Sequence, residues 1–455
     1  MKRKGVARLS VGYSLIFIQV LLFFYYQGAV NPLSLIFKSL NAENAPVLWY
    51  VGLFLVGAAG LALAIWGGID YKKTAPKASA PADLTKAGDM YKDSKGREYF
   101  YDNAKFILIF LVVLAHAISP FGAMKNNDFQ YVYLFVWRLI NTMHMPCFIF
   151  ISGYLAKKYI GSDGFINVQR PFTYIIYYLA AQLTVGAFET FVIGRSISKS
   201  ILAPRSSLWF LICLIWWYLL LPVIEKIDPK IMLPVAIVFA LLIGYDEKIG
   251  NLMAMSRMIV HFPFFLTGYY LSSGKMQHLF TKKAKLISIP VILAGLGSQL
   301  AVLLLFKPIG KLDFGINSII ACASSYYKVF KGTDVNALLW FVPRIWFYVT
   351  AALLIYGFLV WVPKRKNIFT VFGARTLGPY ILHRYLYIAY KHFDWYKFDF
   401  LPFEVSPEVG GLIMIAVAFV ITVVFSLYPC YLPFELLGRI KVKPLLKKPA
   451  KAQAK

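Results

Sequence analysis

The chain has 455 residues, 59% of them hydrophobic and only 15% charged, and its mean hydropathy of +0.63 excludes an ordinary soluble globular protein. In a soluble chain the formal net charge of +27 would point to nucleic acid. Here the basic residues stand between apolar runs, where they act as topology signals, so no nucleic-acid partner is expected.

A membrane-spanning helix needs about 20 mostly apolar residues, and about twelve stretches approach this criterion. They cover 11–30, 47–66, 100–121, 131–155, 171–193, 207–224, 231–245, 258–271, 286–306, 338–361, 377–390 and 411–431, the seventh, eighth and eleventh being short. The runs are continuous and do not alternate, so helices are expected and a barrel is not. The first follows Lys2, Arg3, Lys4 and Arg8, is long and lacks a small-residue cleavage site, so it reads as an uncleaved anchor. A polar linker rich in Lys, Ala and Pro separates this two-helix membrane unit, 1–69, from the larger body. The expected organisation is therefore 1–69, a basic linker 70–98, a ten-helix membrane core 99–435 and a basic tail 436–455.

Excess Lys and Arg remain on the cytoplasmic side. The N-terminus, the 70–98 linker, Lys157, Lys158 and Arg170, the Lys282–Lys285 cluster, the Lys364–Lys366 cluster and the tail all fall on one side of the predicted topology. Both termini are expected in the cytoplasm, with the protein in the plasma membrane. Cys147, Cys213, Cys322 and Cys430 lie in or beside apolar stretches without close spacing. They offer neither a zinc pattern nor a disulfide framework and read as core residues.

The chemistry is concentrated between Tyr101 and Tyr154. A helix of Ile, Leu, Val and Phe there also carries Asp102, Asn103, Lys105 and His116, and ionisable residues within a span are costly unless they serve a function. Lys105 and His116 are eleven positions apart, which places them about 20° apart around a helix and about 16 Å apart along it. A cation near the cytoplasmic end can hold an anionic group while an imidazole deeper in the membrane works on what that group carries. Taken alone, Lys105 could equally snorkel to the interface, and His116 could hydrogen-bond a neighbouring helix. The next span brings Asn141 and His144 beside Pro146, and its opposite direction puts His144 at the depth of His116. Ser152 and Gly153 follow, small enough for close helix contact.

These blocks, Asp102-Asn103-Ala104-Lys105 to His116, His144-Met145-Pro146 and Phe150-Ile151-Ser152-Gly153-Tyr154, resemble the opening of the membrane-bound acyltransferase 3 family, in particular its fucose O-acetylase-like branch. Further blocks arrive in the family's order. They are Leu208-Trp209-Phe210-Leu211, then Arg257 with His261-Phe262-Pro263-Phe264-Phe265, then Pro379-Tyr380-Ile381-Leu382-His383-Arg384. The resemblance covers about residues 98–433 and implies an all-α polytopic fold. It also implies a membrane-bound acyltransferase that moves an acyl group, usually acetyl from acetyl-CoA, onto hydroxyls of surface glycans or related acceptors.

Carried over, the family's first-helix histidine matches His116, and its upstream basic residue, most often Arg, matches Lys105. The change loses the planar fork that grips phosphate bidentately but keeps the charge. His116 is expected as general base or transient acyl carrier, with His144 orienting it or the substrate. Lys105 and Arg170 are expected to neutralise the donor's phosphates. Arg257 is counted with them, although the topology starts its span at the outer face, a position that also suits a rim anchor or a contact with the acceptor's charges. Asp102, Asn103, Asn141, Ser152, Trp209, His261, Tyr380 and His383 are expected to support the site or touch substrate, and no metal is needed. The competing readings are a transporter and a small-ligand receptor without chemistry. The lack of an internal repeat weighs against the transporter.

Overall fold

Hydrocarbon offers no hydrogen bonds to an exposed backbone, so a chain of this composition must satisfy its amides internally. A computed structural model describes residues 97–442 apart from 124–128, 161–165, 196–199, 248–251, 307–310 and 399–403; the regular structure of those residues is helical, with one isolated bridge between Ile160 and Ile166. The expected two-span unit 1–69, nearly all of the linker and the tail beyond 442 lie outside the described residues. The chain divides into two compact units, Met1–Gly96 with Leu183–Lys199, and Arg97–Gln182 with Ser200–Lys455. The second carries every candidate site residue.

The α-helices run in order α1 Tyr99–Ile118, α2 Gln130–Ala156, α3 Gln169–Phe191, α4 Trp209–Ile224, α5 Pro229–Leu242, α6 Met255–Tyr270, α7 Ser273–His278, α8 Lys282–Phe306, α9 Lys311–Ala321, α10 Tyr326–Phe330, α11 Val342–Trp361, α12 Thr370–Gly373, α13 Leu377–His392, α14 Pro407–Ser426 and α15 Tyr428–Gly438. Six of these, α1, α2, α4, α8, α11 and α14, some extended by a flanking 3-10 turn, are long and apolar enough to cross a membrane. The chain is a multi-pass, all-α membrane protein. The expected spans at 171–193, 231–245, 258–271 and 377–390 are helical but shorter or more polar. With 16 residues each, α6 and α13 reach about 24 Å against the roughly 30 Å of a hydrocarbon core.

One expectation is revised. The apolar run 411–431 is not one helix, because α14 stops at Ser426, Leu427 is extended, and α15 restarts with Pro429 in its first turn. A proline lacks the amide that a helix interior uses but fits a first turn, where that amide has no partner. The segment between the expected spans 286–306 and 338–361 contains α9 and α10, helices of 11 and 5 residues that are too short to register by the length of a membrane span.

The most extensive helix contact is between α2 and α6. They cross where Gly153 meets the backbone of Phe265 and Gly268 meets the backbone of Phe150. A Cβ at Gly153 would stand 2.0 Å from the Phe265 carbonyl oxygen, and one at Gly268 2.0 Å from the Phe150 carbonyl oxygen. Both neighbours are helical backbone and cannot turn away, so only glycine allows this approach. Beyond the crossing, the Lys157 ammonium donates to the Leu271 carbonyl and ties the two helix ends. Gly153→Ala or Gly268→Ala is expected to destabilise the protein by at least about 1–3 kcal/mol through overpacking. Thermal unfolding of the detergent-solubilised variants should show a clearly lowered midpoint, and a parental midpoint for both would refute the close crossing.

Candidate active site

The first turns of α1 gather charge. Arg97 grips Asp102 with two hydrogen bonds of 2.6 Å, and Lys105 Nζ lies 2.8 Å from the same carboxylate. Two cations on one carboxylate leave a net positive charge, although Lys105 is no longer a free charge. Lys158 stands within electrostatic range of Lys105. Arg170, at the start of α3, lies over the rings of Tyr159 at 4.7 Å and Tyr174 at 5.6 Å. Tyr431 is within electrostatic range of Arg97, Arg170 and Arg375, which places Arg170 at the Lys105 end, as expected, and adds Arg97 and Arg375 to the group.

Asn103 serves the scaffold. Its amide donates to the carbonyls of Pro363 and Arg365 at 2.8 and 2.9 Å and accepts from Thr370 at 2.7 Å. It thereby holds the basic turn after α11 against α1. Nearby, Gly373 of α12 packs so closely on Asp102 that a Cβ would fall 1.8 Å from its carbonyl oxygen.

Deeper along the helices lies a layer of four histidines. His116 stacks on His383, with ring centroids 5.2 Å apart and planes at 15°, and touches Tyr387 at 4.9 Å. His144 is within electrostatic range of both His116 and His261. The ring stacked against His116 is that of His383, delivered by α13, a helix far along the chain, while His144, expected to orient His116 or the substrate, does not stack on it.

The four rings are held differently. His144, His261 and His383 are buried, and each places Nδ1 on the carbonyl four residues earlier, at 2.6, 3.0 and 2.6 Å. A carbonyl only accepts, so Nδ1 carries the proton and Nε2 keeps the lone pair. His383 Nε2 is buried without a hydrogen-bond partner. His116 is half-buried, and its ring makes no hydrogen bond among the described residues. Among the described residues it is the one ring of the four that is partly exposed and makes no hydrogen bond.

The remaining candidates separate. Tyr380, one turn before His383, donates its hydroxyl to the Ser207 carbonyl and pins α13 to the start of α4. Trp209 lies against His261 at 5.1 Å and beneath Arg257 at 5.2 Å. Asn141 and Ser152 donate to the carbonyls of Trp137 and Phe148, each four residues back in their own helix. Arg257 departs from its expected group: it sits in the first turn of α6, with Nε on the Ala321 carbonyl at 3.0 Å, far along that helix from the Lys105 end. An orphan carbonyl at the end of α9 is a natural seat for a guanidinium.

Sequence reading passed over Arg97, Arg344 and Tyr387, and gave Arg384 no role beyond its place in the late motif block. Arg344 and Arg384 are buried in helices of apolar sequence, so the cost of intramembrane charge was the signal available for both. Tyr387 carried none, since its contact with His116 depends on how α13 packs.

In comparison with known proteins, the profile of the acyltransferase 3 family, described as an acyltransferase domain, matches residues 98–431. No curated protein and no solved structure matches the chain. A match over most of the chain, covering the charged first turns of α1, the histidine layer and α13, shows that the protein belongs to the acyltransferase 3 family and is a membrane acyltransferase.

Proposed function

We propose that the protein moves an acetyl group from acetyl-CoA to a hydroxyl of a cell-surface carbohydrate or a related polyhydroxyl acceptor, in keeping with its resemblance to the fucose O-acetylase-like branch. The observation that carries this reading is the state of His116: half-buried, uncommitted and stacked on His383. A neutral imidazole in that state keeps a nitrogen lone pair free to take the proton of a hydroxyl as it attacks.

In this mechanism the donor's phosphates bind among Lys105, Arg97, Lys158 and Arg170, on the cytoplasmic side. The roughly 16 Å between Lys105 and His116 along α1 accommodates the donor's extended arm and brings the thioester to the histidine layer. His116 takes the proton of the acceptor hydroxyl as its oxygen attacks the thioester carbonyl. The carbon–sulfur bond breaks, the thiolate leaves, and the proton passes from His116 to the sulfur. His383 backs the His116 ring, and Tyr380 holds His383 in register by anchoring α13. His144 and His261 line the acceptor's approach. Both termini lie in the cytoplasm of the plasma membrane, which gives donor and acceptor opposite entries.

Three outcomes test the proposal. Lys105→Ala is expected to raise KM for acetyl-CoA about 10- to 100-fold, the worth of a charge-assisted contact, while Lys105→Arg keeps most of the affinity. Steady-state assays on purified protein that find parental KM in both variants would reduce Lys105 to a partner of Asp102. A topology reporter fused to the C-terminus should report cytoplasm, and an external signal would reverse the donor side. His116→Gln keeps some hydrogen bonding but cannot act as a base, so transfer should fall about 10²- to 10⁴-fold with abundance and thermal midpoint preserved. Near-parental acetylation by a stable His116→Gln protein would end the catalytic assignment.

A further inference from the structure

The proposed reaction engages the cations at one end of the bundle and the histidine layer, but a second cationic group at the opposite end remains unused. Arg344 stands in the first turn of α11, about 26 Å along the helix from the basic turn that follows it. Arg257 stands in the first turn of α6, again at the end away from the basic loops. Positive charge on the Lys- and Arg-poor side does not serve as a retention signal.

Arg344 is fully buried, with 0% exposure, and the polar side chain its guanidinium faces is the Tyr326 hydroxyl, too poorly aligned with it for a hydrogen bond of ordinary geometry. Its contacts are aromatic: the guanidinium lies 5.5 Å over the ring of Tyr326. The Tyr326 hydroxyl is also buried and faces this guanidinium. No acidic side chain pairs with Arg344 or Arg257 among the described residues. Arg257 donates to Ala321, Tyr326 of the next helix lies under Arg344, and the His261 ring of α6 stands 6.3 Å from that of Phe347 of α11, so both arginines lie at the same end of the packed α6, α9 and α11. The cluster therefore holds buried positive charge with no carboxylate against it, and more guanidinium donors than the Ala321 carbonyl and the Tyr326 hydroxyl can take up. A buried charge left so is destabilising, and an apolar residue in its place is often better tolerated. Cation–π contact with one tyrosine recovers only part of that loss.

We propose that Arg344, Arg257 and the Tyr326 hydroxyl form an oxyanion site that holds a carboxylate or phosphate carried by the acyl acceptor. The donor's phosphates have their own cations at the Lys105 end, so the second group is left for the other substrate. His261 and His144 connect the cluster to His116, the first within range of both arginines and the second within range of both His261 and His116. An acceptor anchored by its anion at Arg344 would extend its hydroxyl along this row toward the proton-accepting ring. Bidentate binding of a carboxylate or phosphate is what a guanidinium fork does best, which explains arginine rather than lysine at 344.

This inference deepens the transferase reading but fails separately from it, because it is tested by binding. The full chain is reconstituted in phosphatidylcholine nanodiscs, and thermal unfolding is followed with glucuronate, glucose 6-phosphate or glucose at matched ionic strength. At least one acidic sugar should raise the midpoint in a saturable way and glucose should not, since a ligand stabilises the state it binds. Arg344→Gln should weaken the acidic sugar's apparent affinity about tenfold or more, with an unliganded midpoint at or above the parental one. Arg257→Gln and Tyr326→Phe should weaken it by smaller factors, and they decide the matter if Arg344→Gln does not fold. His116→Gln should retain the shift, so that loss of transfer chemistry and loss of anion binding are told apart. Equal shifts with glucose, no shift with either acidic sugar, or parental affinity in the folded variants would overturn the proposal. So would abolition of the shift in phosphatidylglycerol nanodiscs, which would assign the site to a lipid headgroup.

Discussion

The backbone contact between α2 and α6 is the constraint on which the site's geometry depends. Glycine at 153 and 268 lets the helices touch main chain to main chain, and from that crossing His144 and His261 lie about 13 and 10 Å along their respective helices. Small residues are the means of close association in a membrane, where apolar side chains gain little by leaving lipid for protein. A separation of even a methyl group at the crossing would displace both imidazoles relative to α1, which carries His116. The Ser152-Gly153 pair therefore matters to the chemistry through packing, with Ser152 bonded only within its own helix.

Around that crossing, the protein distributes polar groups by how firmly each is held. At the Lys105 end, Asp102 is shared by two cations and Asn103 ties α1 to the turn after α11, so the entry is cross-braced by short hydrogen bonds. In the middle, three histidines are locked onto their own helix carbonyls and one is left uncommitted. The locked rings have one defined tautomer, which makes them dependable walls; the free ring can change partner as a proton moves. At the far end, arginines are packed against tyrosine, tryptophan and helix-end carbonyls instead of carboxylates. A carboxylate there would neutralise the charge internally and leave none for a ligand.

The short helices α6 and α13 carry three of the four locked or stacked partners of this arrangement: His261 on α6, His383 and Tyr387 on α13. Neither is long enough to face lipid along a full membrane thickness. Their place is among other helices, with Trp217 of α4 donating to the Met258 carbonyl of α6 and Tyr380 of α13 donating to Ser207. A helix enclosed by protein can carry His, Arg and Tyr at positions that a lipid-facing helix could not.

The sequence by itself determined the class of protein, since apolar runs of membrane length and basic loops follow from local composition alone. It also marked Lys105, His116, His144, Arg257, His261, Tyr380 and His383, because polar residues inside apolar helices stand out against the cost of burying them. It could show that Lys105 and His116 share a face, since that depends only on helical periodicity. Tertiary structure alone decided which ring meets which: His383 rather than His144 stacks on His116, because a contact between α1 and α13 across more than 260 residues is set by packing and has no local signature. It likewise decided that Asp102 engages Arg97, that the end of α9 receives Arg257 at the Ala321 carbonyl, and that α10 brings Tyr326 under Arg344. The physical reason is the same in each case. Burying a polar residue has a cost that a single sequence reveals, whereas the partner that offsets the cost is chosen by the folded arrangement of helices.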